Sequence, residues 1–246
     1  MKRIESVKNE RVKAWKKLHS KKGRDQTGRF LIEGEHLIEE AWKSDWKVET
    51  VLTTADDENL FPGECIGVSE AVMKELSETK SPQGIVAVCQ KKQWHTPEQL
   101  KGRFVLLDRV QDPGNVGTII RTALAADAAG VVLGSGCADL FNAKVIRATQ
   151  GALFHLPVYM GDLATWIKML KESDIPVYGT SLHDATPYEQ FQPQEQFALL
   201  LGNEGEGVQS HLLDAATENL YIRQNKKAES LNVSVAAGIL LFALKS

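Results

Sequence analysis

The sequence predicts an α/β protein in which helices cover a mostly parallel sheet, with a smaller α/β unit in front of it. Strand-like and helix-like segments alternate along residues 104–246, which favours a parallel sheet. A separate set of strand and helix patterns occupies residues 30–89, and the polar stretch 90–102 between them has no apolar period. We therefore divide the chain into a first domain at 1–92, a linker at 93–103 and a second domain at 104–246.

The elements of the first domain follow from apolar spacing and from capping residues. Ser69 is a typical N-cap, and the acidic Glu70 is favourable in the first turn of the helix that follows. Short apolar runs rich in β-branched residues predict strands. The predicted strands are 30–32, 48–53 and 84–89, and the predicted helices are 33–42 and 69–77.

The second domain reads as strands that alternate with amphipathic helices. Each predicted strand is an apolar run of three to five residues, as expected of strands that are buried on both faces. The predicted strands are 104–107, 131–133, 177–180, 197–201 and 220–222. The predicted helices are 116–127, 143–150, 163–172, 208–215 and 231–244.

Composition excludes several classes of protein. The 246 residues are 43% hydrophobic and 25% charged, which is typical of a chain that buries a core. The longest apolar stretch, 235–244, is well short of the roughly 20 residues of a membrane span, and the polar N-terminus does not resemble a secretory signal. Three cysteines form no C-x-x-C pair, and six histidines show no metal-ligand spacing. We expect a cytoplasmic protein without a metal ion.

The N-terminal region is strongly basic although the whole chain is not. Residues 1–30 carry eleven Lys and Arg against three acidic residues, whereas the full chain has a net charge of −3. A basic segment on an acidic protein is typical of a polyanion-binding surface, because neutralised phosphates release counterions. The alternative is a solvated helix face. The candidate contacts are Lys13, Lys16, Lys17, Lys21, Arg24 and Arg29.

Three loops that follow predicted strands are candidates for a ligand site, since ligands bind at the carboxyl ends of strands in open α/β sheets. In the first loop, Asn115 follows a Pro-Gly turn and can cap the next helix, and Arg121 lies six residues later. The second, 202–207, has three glycines and two carboxylates, so it suits a cationic or uncharged ligand better than a phosphate. In the third, Ser230 reads as a helix N-cap.

The three loops together resemble the three motifs of the SpoU-type (TrmH-like) branch of the SPOUT RNA methyltransferases. The matching segments are D-P-G-N-V-G-T-I-I-R at 112–121, L-G-N-E-G-E-G-V at 201–208 and E-S-L-N-V-S-V-A-A-G at 229–238. The segment 144–152 is also similar to this family. Residues 28–34 and 80–85 resemble the family's small substrate-binding domain, which is similar to ribosomal protein L30e. Arg223 departs from the pattern, because this family often has proline there.

The resemblance implies a fold, a reaction and a set of site residues. The implied protein is a homodimer. In each chain, the L30e-like domain is followed by a C-terminal SPOUT-type parallel sheet that contains a deep trefoil knot. The reaction is methyl transfer from S-adenosylmethionine to a ribose 2′-hydroxyl of RNA. The implied catalytic residues are Arg121, Asn115, Glu204, Ser230 and Asn232. The implied cofactor-binding residues are Gly202, Ile222 and Leu231, with Thr180 as a further candidate.

Chemistry restricts the role of Arg121. A guanidinium is a poor general base because its pKa exceeds about 12. We expect Arg121 instead to stabilise the developing alkoxide and to orient a neighbouring phosphate.

Two other functions stay open at this point. The first is a non-catalytic, dimeric RNA-binding module. The second is a nicotinamide enzyme on a Rossmann fold, which would rest on Gly134 and Gly136 but has Asp139 where the third glycine of the fingerprint belongs. For the methyltransferase, ribosomal RNA is favoured over transfer RNA by family analogy.

Overall fold

The computed structural model describes residues 2–55, 61–225, 227 and 230–246. The chain divides into two compact units. The first unit comprises Met1–Lys92 together with Asp139–Phe154, and the second comprises Gln93–Ala138 together with His155–Ser246.

Within the described residues, the first unit contains a five-stranded mixed sheet in the order β1-β4-β3-β5-β2. Strands β1, β4 and β3 run parallel, and β5 is antiparallel to both β3 and β2. One face packs against α1 and α4 through a core that includes Val12, Leu52 and Met73. The strands are β1 (Lys2–Ile4), β2 (Arg29–Glu33), β3 (Val48–Thr53), β4 (Glu64–Val68) and β5 (Ile85–Gln90), and the helices are α1 (Glu10–Lys16), α2 (Lys21–Thr27), α3 (Glu35–Trp42) and α4 (Glu70–Leu76).

The helices of this unit begin and end at residues suited to those positions. Asn9 and Ser20 cap α1 and α2, and Ser69 caps α4 by accepting the backbone N–H of Val72, which confirms the predicted cap. Gly28 ends α2 with φ of 65°, a left-handed conformation that strongly favours glycine.

The segment Asp139–Phe154 packs with the first unit although the sequence-based division places it in the second domain. It contains α6 (Ala143–Thr149) and a 3-10 turn (Ala152–Phe154). Phe141 lies 4.8 Å from Phe30, and Phe154 lies 5.5 Å from Trp46, measured between ring centroids. Burial of these aromatic rings explains the difference, because aromatic side chains remove a large apolar area from water.

The second unit contains a parallel sheet, which confirms the predicted fold class. Among the described residues it has seven strands in the order β10-β12-β9-β11-β6-β7-β8, and every neighbouring pair is parallel. The strands are β6 (Arg103–Leu107), β7 (Ala128–Leu133), β8 (Val158–Met160), β9 (Val177–Thr180), β10 (Thr186–Pro187), β11 (Phe197–Leu201) and β12 (Glu218–Tyr221). The helices are α5 (Pro113–Ala125), α7 (Leu163–Glu172), α8 (Ser210–Ala215) and α9 (Val233–Leu244).

The core of the second unit lies beside the central strands. Leu106 of β6 pairs with Leu200 of β11, and both are fully buried with Trp166 of α7. Because the apolar strands β6, β11 and β9 lie side by side, the loops that follow them meet at one edge of the sheet.

Two kinds of feature are absent from the residues that the structure describes. No helix there has the length and apolar character needed to cross a membrane. No group of three or more His, Cys, Asp or Glu side chains there could hold a metal ion.

Candidate active site

A cavity of about 630 Å³ lies in the second unit where β9, β11 and β12 end. These three strands are neighbours in the sheet, so the loops after them form one wall. The structure brings six of the predicted site residues to this cavity: Thr180, Gly202, Glu204, Ile222, Ser230 and Leu231. Glu229, the first residue of the third motif, lies outside the described residues.

The glycine loop, residues 202–207, has a conformation that requires glycine. A Cβ atom on Gly202 would overlap the backbone of Gly207 and Val208, and Gly207 has φ of 71°. The loop closes through two backbone hydrogen bonds between Asn203 and Gly207, of 2.9 and 3.1 Å. The Asn203 side chain accepts the backbone N–H groups of the two residues before Gly207. This compact loop lets backbone approach a ligand closely.

Glu204 joins the glycine loop to the first motif. Its carboxylate accepts the backbone N–H groups of Gln111 at 3.3 Å and Asp112 at 3.1 Å, and the side-chain amide of Asn115 at 3.0 Å. Partial burial raises the pKa of this carboxyl, but the hydrogen bonds from Asn115 and from the backbone outweigh it, so the pKa is lowered overall. Glu204 is therefore an ionised acceptor.

Asn115 and Asn232 extend this chain of hydrogen bonds to the third motif. The Asn115 side-chain oxygen, Oδ1, accepts a hydrogen bond from the Asn232 side-chain amide at 2.9 Å. Asn232 also caps α9, because its oxygen accepts the backbone N–H groups of Ser234 and Val235. One polar network thus links three loops that are distant in sequence.

Two predicted helix caps are wrong. Asp112, not Asn115, caps α5, with its carboxylate accepting the Asn115 backbone N–H at 2.8 Å. The helix can begin this early because Pro113 suits its first position. Asn232, not Ser230, caps α9. The amide side chain of Asn115 is consequently available to Glu204 and Asn232.

A second network beneath the glycine loop was not predicted from the sequence. Asp108, 2% exposed, accepts the backbone N–H and the side-chain amide of Gln209, both at 2.8 Å. Arg109 has a left-handed backbone, with φ of 55°, and its carbonyl accepts the Asn203 side chain at 2.9 Å. The Arg109 guanidinium pairs with Glu206. We call Asp108, Arg109 and Gln209 the loop clamp, because they hold both ends of the glycine loop.

Arg121 stands apart from the network. It lies on the exposed face of α5 and is not among the described residues that line the cavity. It has no hydrogen bond or ion pair within the described part of the chain. The adjacent residue, Thr122, faces Gly238 of α9, so Arg121 lies close to the packing of α5 against α9.

Comparison with known proteins identifies the family. Residues 102–242 match the model of the SpoU rRNA Methylase family, and residues 9–87 match an MRM3-like substrate binding domain. The chain is 47% identical to the Bacillus subtilis 23S rRNA (guanosine(2553)-2′-O)-methyltransferase RlmP over the full length of both.

The chain belongs to the SpoU rRNA methylase family. The structure agrees with this assignment. It superposes on an AdoMet-bound rRNA methyltransferase of Sinorhizobium meliloti with a TM-score of 0.90 and 32% sequence identity, and the match covers 99% of this chain and 97% of that one. The SpoU methyltransferase AviRb of Streptomyces viridochromogenes, also in complex with AdoMet, gives 0.85 at 26% identity, covering 96% of this chain and 97% of that one. The predicted family and enzyme class are confirmed.

In this SpoU-family chain, residues 9–87, which match the substrate-binding domain, contain the candidate RNA-binding cations. These cations differ in whether a carboxylate already pairs with them. Lys17 and Lys21 are exposed and form no ion pair within the described residues. Three other candidate cations already contact carboxylates. These pairs are Lys13 with Glu10 at 2.7 Å, Lys16 with Glu75, and Arg29 with Glu49 at 2.6 Å.

The structure contradicts the prediction that Arg24 contacts a polyanion. Its side chain is only 5% exposed, so it does not offer its charge to a polyanion. The guanidinium instead donates to Asp139 at 2.6 Å and to the carbonyls of Leu18 and His19, both at 2.8 Å. The basic composition of the segment could not distinguish this internal role from an RNA contact.

Proposed function

We propose that this protein transfers the methyl group of S-adenosylmethionine to a ribose 2′-hydroxyl of ribosomal RNA. The observation that carries the proposal is the cavity at the carboxyl edge of the sheet, walled by loops that Glu204, Asn115 and Asn232 join. Because the chain is 47% identical to a methyltransferase that modifies a guanosine of 23S rRNA, we propose large-subunit RNA as the substrate and a guanosine as the first nucleotide to test. We place this activity in the cytoplasm.

The donor groups of the cavity fit S-adenosylmethionine. Leu201, Leu220 and Leu240 offer an apolar surface for an adenine ring, and the ionised Glu204, whose partners among the described residues are neutral N–H donors, offers negative charge to a sulfonium or an ammonium group. None of the described lining residues is Lys or Arg. A nicotinamide dinucleotide, with its two phosphates, would lack cationic partners here, which disfavours the Rossmann alternative.

The chain's own residues would hold the cofactor and keep the site in shape. Backbone groups of Gly202, Ile222 and Leu231 are the proposed cofactor contacts. Thr180 donates its hydroxyl to the Leu200 carbonyl at 2.9 Å, which fixes its position at the cavity wall. When bound, the cofactor supplies an electrophilic methyl group on a positively charged sulfur. The protein then has to hold the nucleophilic hydroxyl in line with that methyl.

Arg121 is the proposed catalytic cation. As a guanidinium it would stabilise negative charge that develops on the ribose oxygen and hold an adjacent phosphate through parallel N–H donors. Asn115, Glu204 and Asn232 would act through the geometry of the loops, since their polar atoms already bond to one another and to backbone N–H groups. Ser230 lies at the cavity wall, where its hydroxyl would contact substrate.

We propose that the complete site forms in a homodimer. Val235 and Phe242, on one face of α9, are 49% and 52% exposed, and an apolar stripe of this kind favours burial against a second copy. Because α9 packs against α5, a copy seated there would also cover the face that carries Arg121. The knot remains a prediction.

Methyl transfer in vitro tests this function. Purified protein, labelled S-adenosylmethionine and 23S rRNA transcripts should give label in RNA, located by mass spectrometry of nuclease digests on a ribose. A transcript with a single 2′-deoxynucleotide at the modified position should accept none. Label on a base would contradict the reaction, and RNA binding without cofactor binding would favour the non-catalytic module.

A further inference from the structure

One turn of the first unit brings together three lysines that form no ion pair within the described residues. We call residues 17–23 the lysine turn. Its three cations, all exposed, are Lys17, Lys21 and Lys22. The Ser20 hydroxyl donates to the Lys17 carbonyl at 2.9 Å and accepts the Gly23 N–H at 3.1 Å. A Cβ on Gly23 would overlap the Lys17 carbonyl, so only glycine lets the backbone fold back this tightly.

The lysine turn is held in place from two sides. From beneath, buried Arg24 occupies the carbonyls of Leu18 and His19 while it pairs with Asp139. From the side, the His19 ring contacts the Glu78 carboxylate at 2.8 Å and the Glu75 carbonyl at 3.1 Å. The turn is therefore a fixed platform for its lysines, whose charges need no large rearrangement to meet a ligand.

Neighbouring cations of the same segment differ, because carboxylates already neutralise them. Arg11 donates to both oxygens of Glu64, and Lys13 and Lys16 contact Glu10 and Glu75. A phosphate that approached these residues would have to compete with a carboxylate. The acidic residue closest in sequence to the lysine turn, Asp25, pairs with Lys91 at 2.7 Å, so its charge is also compensated.

We infer that the lysine turn is the surface by which the first unit binds the phosphate backbone of the RNA, and that Arg24 is its positioning residue. The inference rests on the proposed function, since RNA must be the substrate. The turn exposes Lys17, Ser20, Lys21 and Lys22 but no large apolar side chain. A protein partner would need an apolar or aromatic anchor there, whereas phosphates need only cations.

Charge-matched variants test the inference. The first replaces Lys17, Lys21 and Lys22 by Gln, and the control replaces Arg11, Lys13 and Lys16 by Gln, so that both lose three positive charges. Dissociation constants for a 23S rRNA transcript are measured in KCl from about 50 to 200 mM. Three lost phosphate contacts should reduce the magnitude of the slope of log K against log[KCl] by about 2.1–2.7. Over this fourfold range of salt, the loss of affinity should therefore be about 20- to 40-fold smaller than that of wild type. The control should change the slope by less than about one unit.

Equal slopes for the two triple variants would overturn the lysine turn as the contact surface while leaving the proposed methyl transfer intact. A wild-type protein that binds no RNA at any salt concentration would overturn both. Arg24→Lys keeps the charge but cannot hold two carbonyls and Asp139 together, so we expect a reduced slope with unchanged affinity for S-adenosylmethionine. A wild-type slope in Arg24→Lys would refute its positioning role.

Discussion

Replacing Asp108 tests whether the loop clamp shapes the cavity. Its buried carboxylate accepts two hydrogen bonds from Gln209 and a longer one, of 3.3 Å, from Arg109. Bonds to a charged acceptor contribute about 1.5–3 kcal/mol each, and the Arg109 bond counts little because that side chain is partly exposed. Asp108→Ala should therefore lower the free energy of unfolding of the second unit by about 3–6 kcal/mol. Asp108→Asn should cost only about 1 kcal/mol, because the Gln209 amide can rotate to accept from the new NH₂ group.

Calorimetry of the full chain measures both consequences. In scanning experiments, the transition of the second unit should move in Asp108→Ala and hardly in Asp108→Asn. In titrations with S-adenosylmethionine, Asp108→Ala should weaken binding by at least about tenfold, because binding must then order the glycine loop. The control is Asp214→Ala, at an exposed position of α8, which should stay within about 0.5 kcal/mol of wild type. Wild-type stability and affinity in Asp108→Ala would refute the reasoning.

Three further perturbations address the catalytic cation, the dimer and a titrating pair. Arg121→Ala should reduce single-turnover methylation by about 10²–10³ with unchanged cofactor affinity, and Arg121→Lys should recover only part of it; a wild-type rate in Arg121→Ala would refute its role. Phe242→Asp, which puts a charge on the exposed face of α9, should shift sedimentation from dimer to monomer, and an intact dimer would contradict the proposed interface. The hydrogen bond to Glu78 raises the pKa of His19 above its ordinary value of 6.5. The charged His19–Glu78 pair therefore stabilises the folded protein fully below about pH 6.5, and this stabilisation is lost as the pH rises through the raised pKa. His19→Gln should consequently destabilise the protein more at about pH 6 than at about pH 9 in urea titrations, and an equal loss at both would exclude a charged pair.

The main strands of the second unit could be predicted because they are buried apolar runs. Strands β9 and β11 have the predicted bounds, and β6 differs from prediction by one residue. The missed strands β8 and β10 lie at the two edges of the sheet and are three and two residues long. No periodicity can be read from so few residues. Strand β1, also three residues long, was missed as well, and it lies in the basic N-terminal segment.

The sequence predicts which motifs form the site but not how their residues contact one another. Residues of the three motifs follow strands, so the order of elements alone places them at one edge. The loop clamp depends on a contact between Asp108 and Gln209, 101 residues apart, and on a left-handed Arg109 that no local pattern indicates. Arg24 and Asp139, 115 residues apart, form their pair inside the first unit, where a count of charges predicts only a basic surface.

Mapping 2′-O-methyl groups in cellular RNA tests the central claim most directly. Ribosomal RNA from cells with and without this protein is compared by a chemical method that reads every ribose. We expect one 2′-O-methylated position of the large-subunit RNA to be lost without the protein and restored by wild type but not by Arg121→Ala. Identical ribose methylation of ribosomal RNA in the two cell lines would contradict the account.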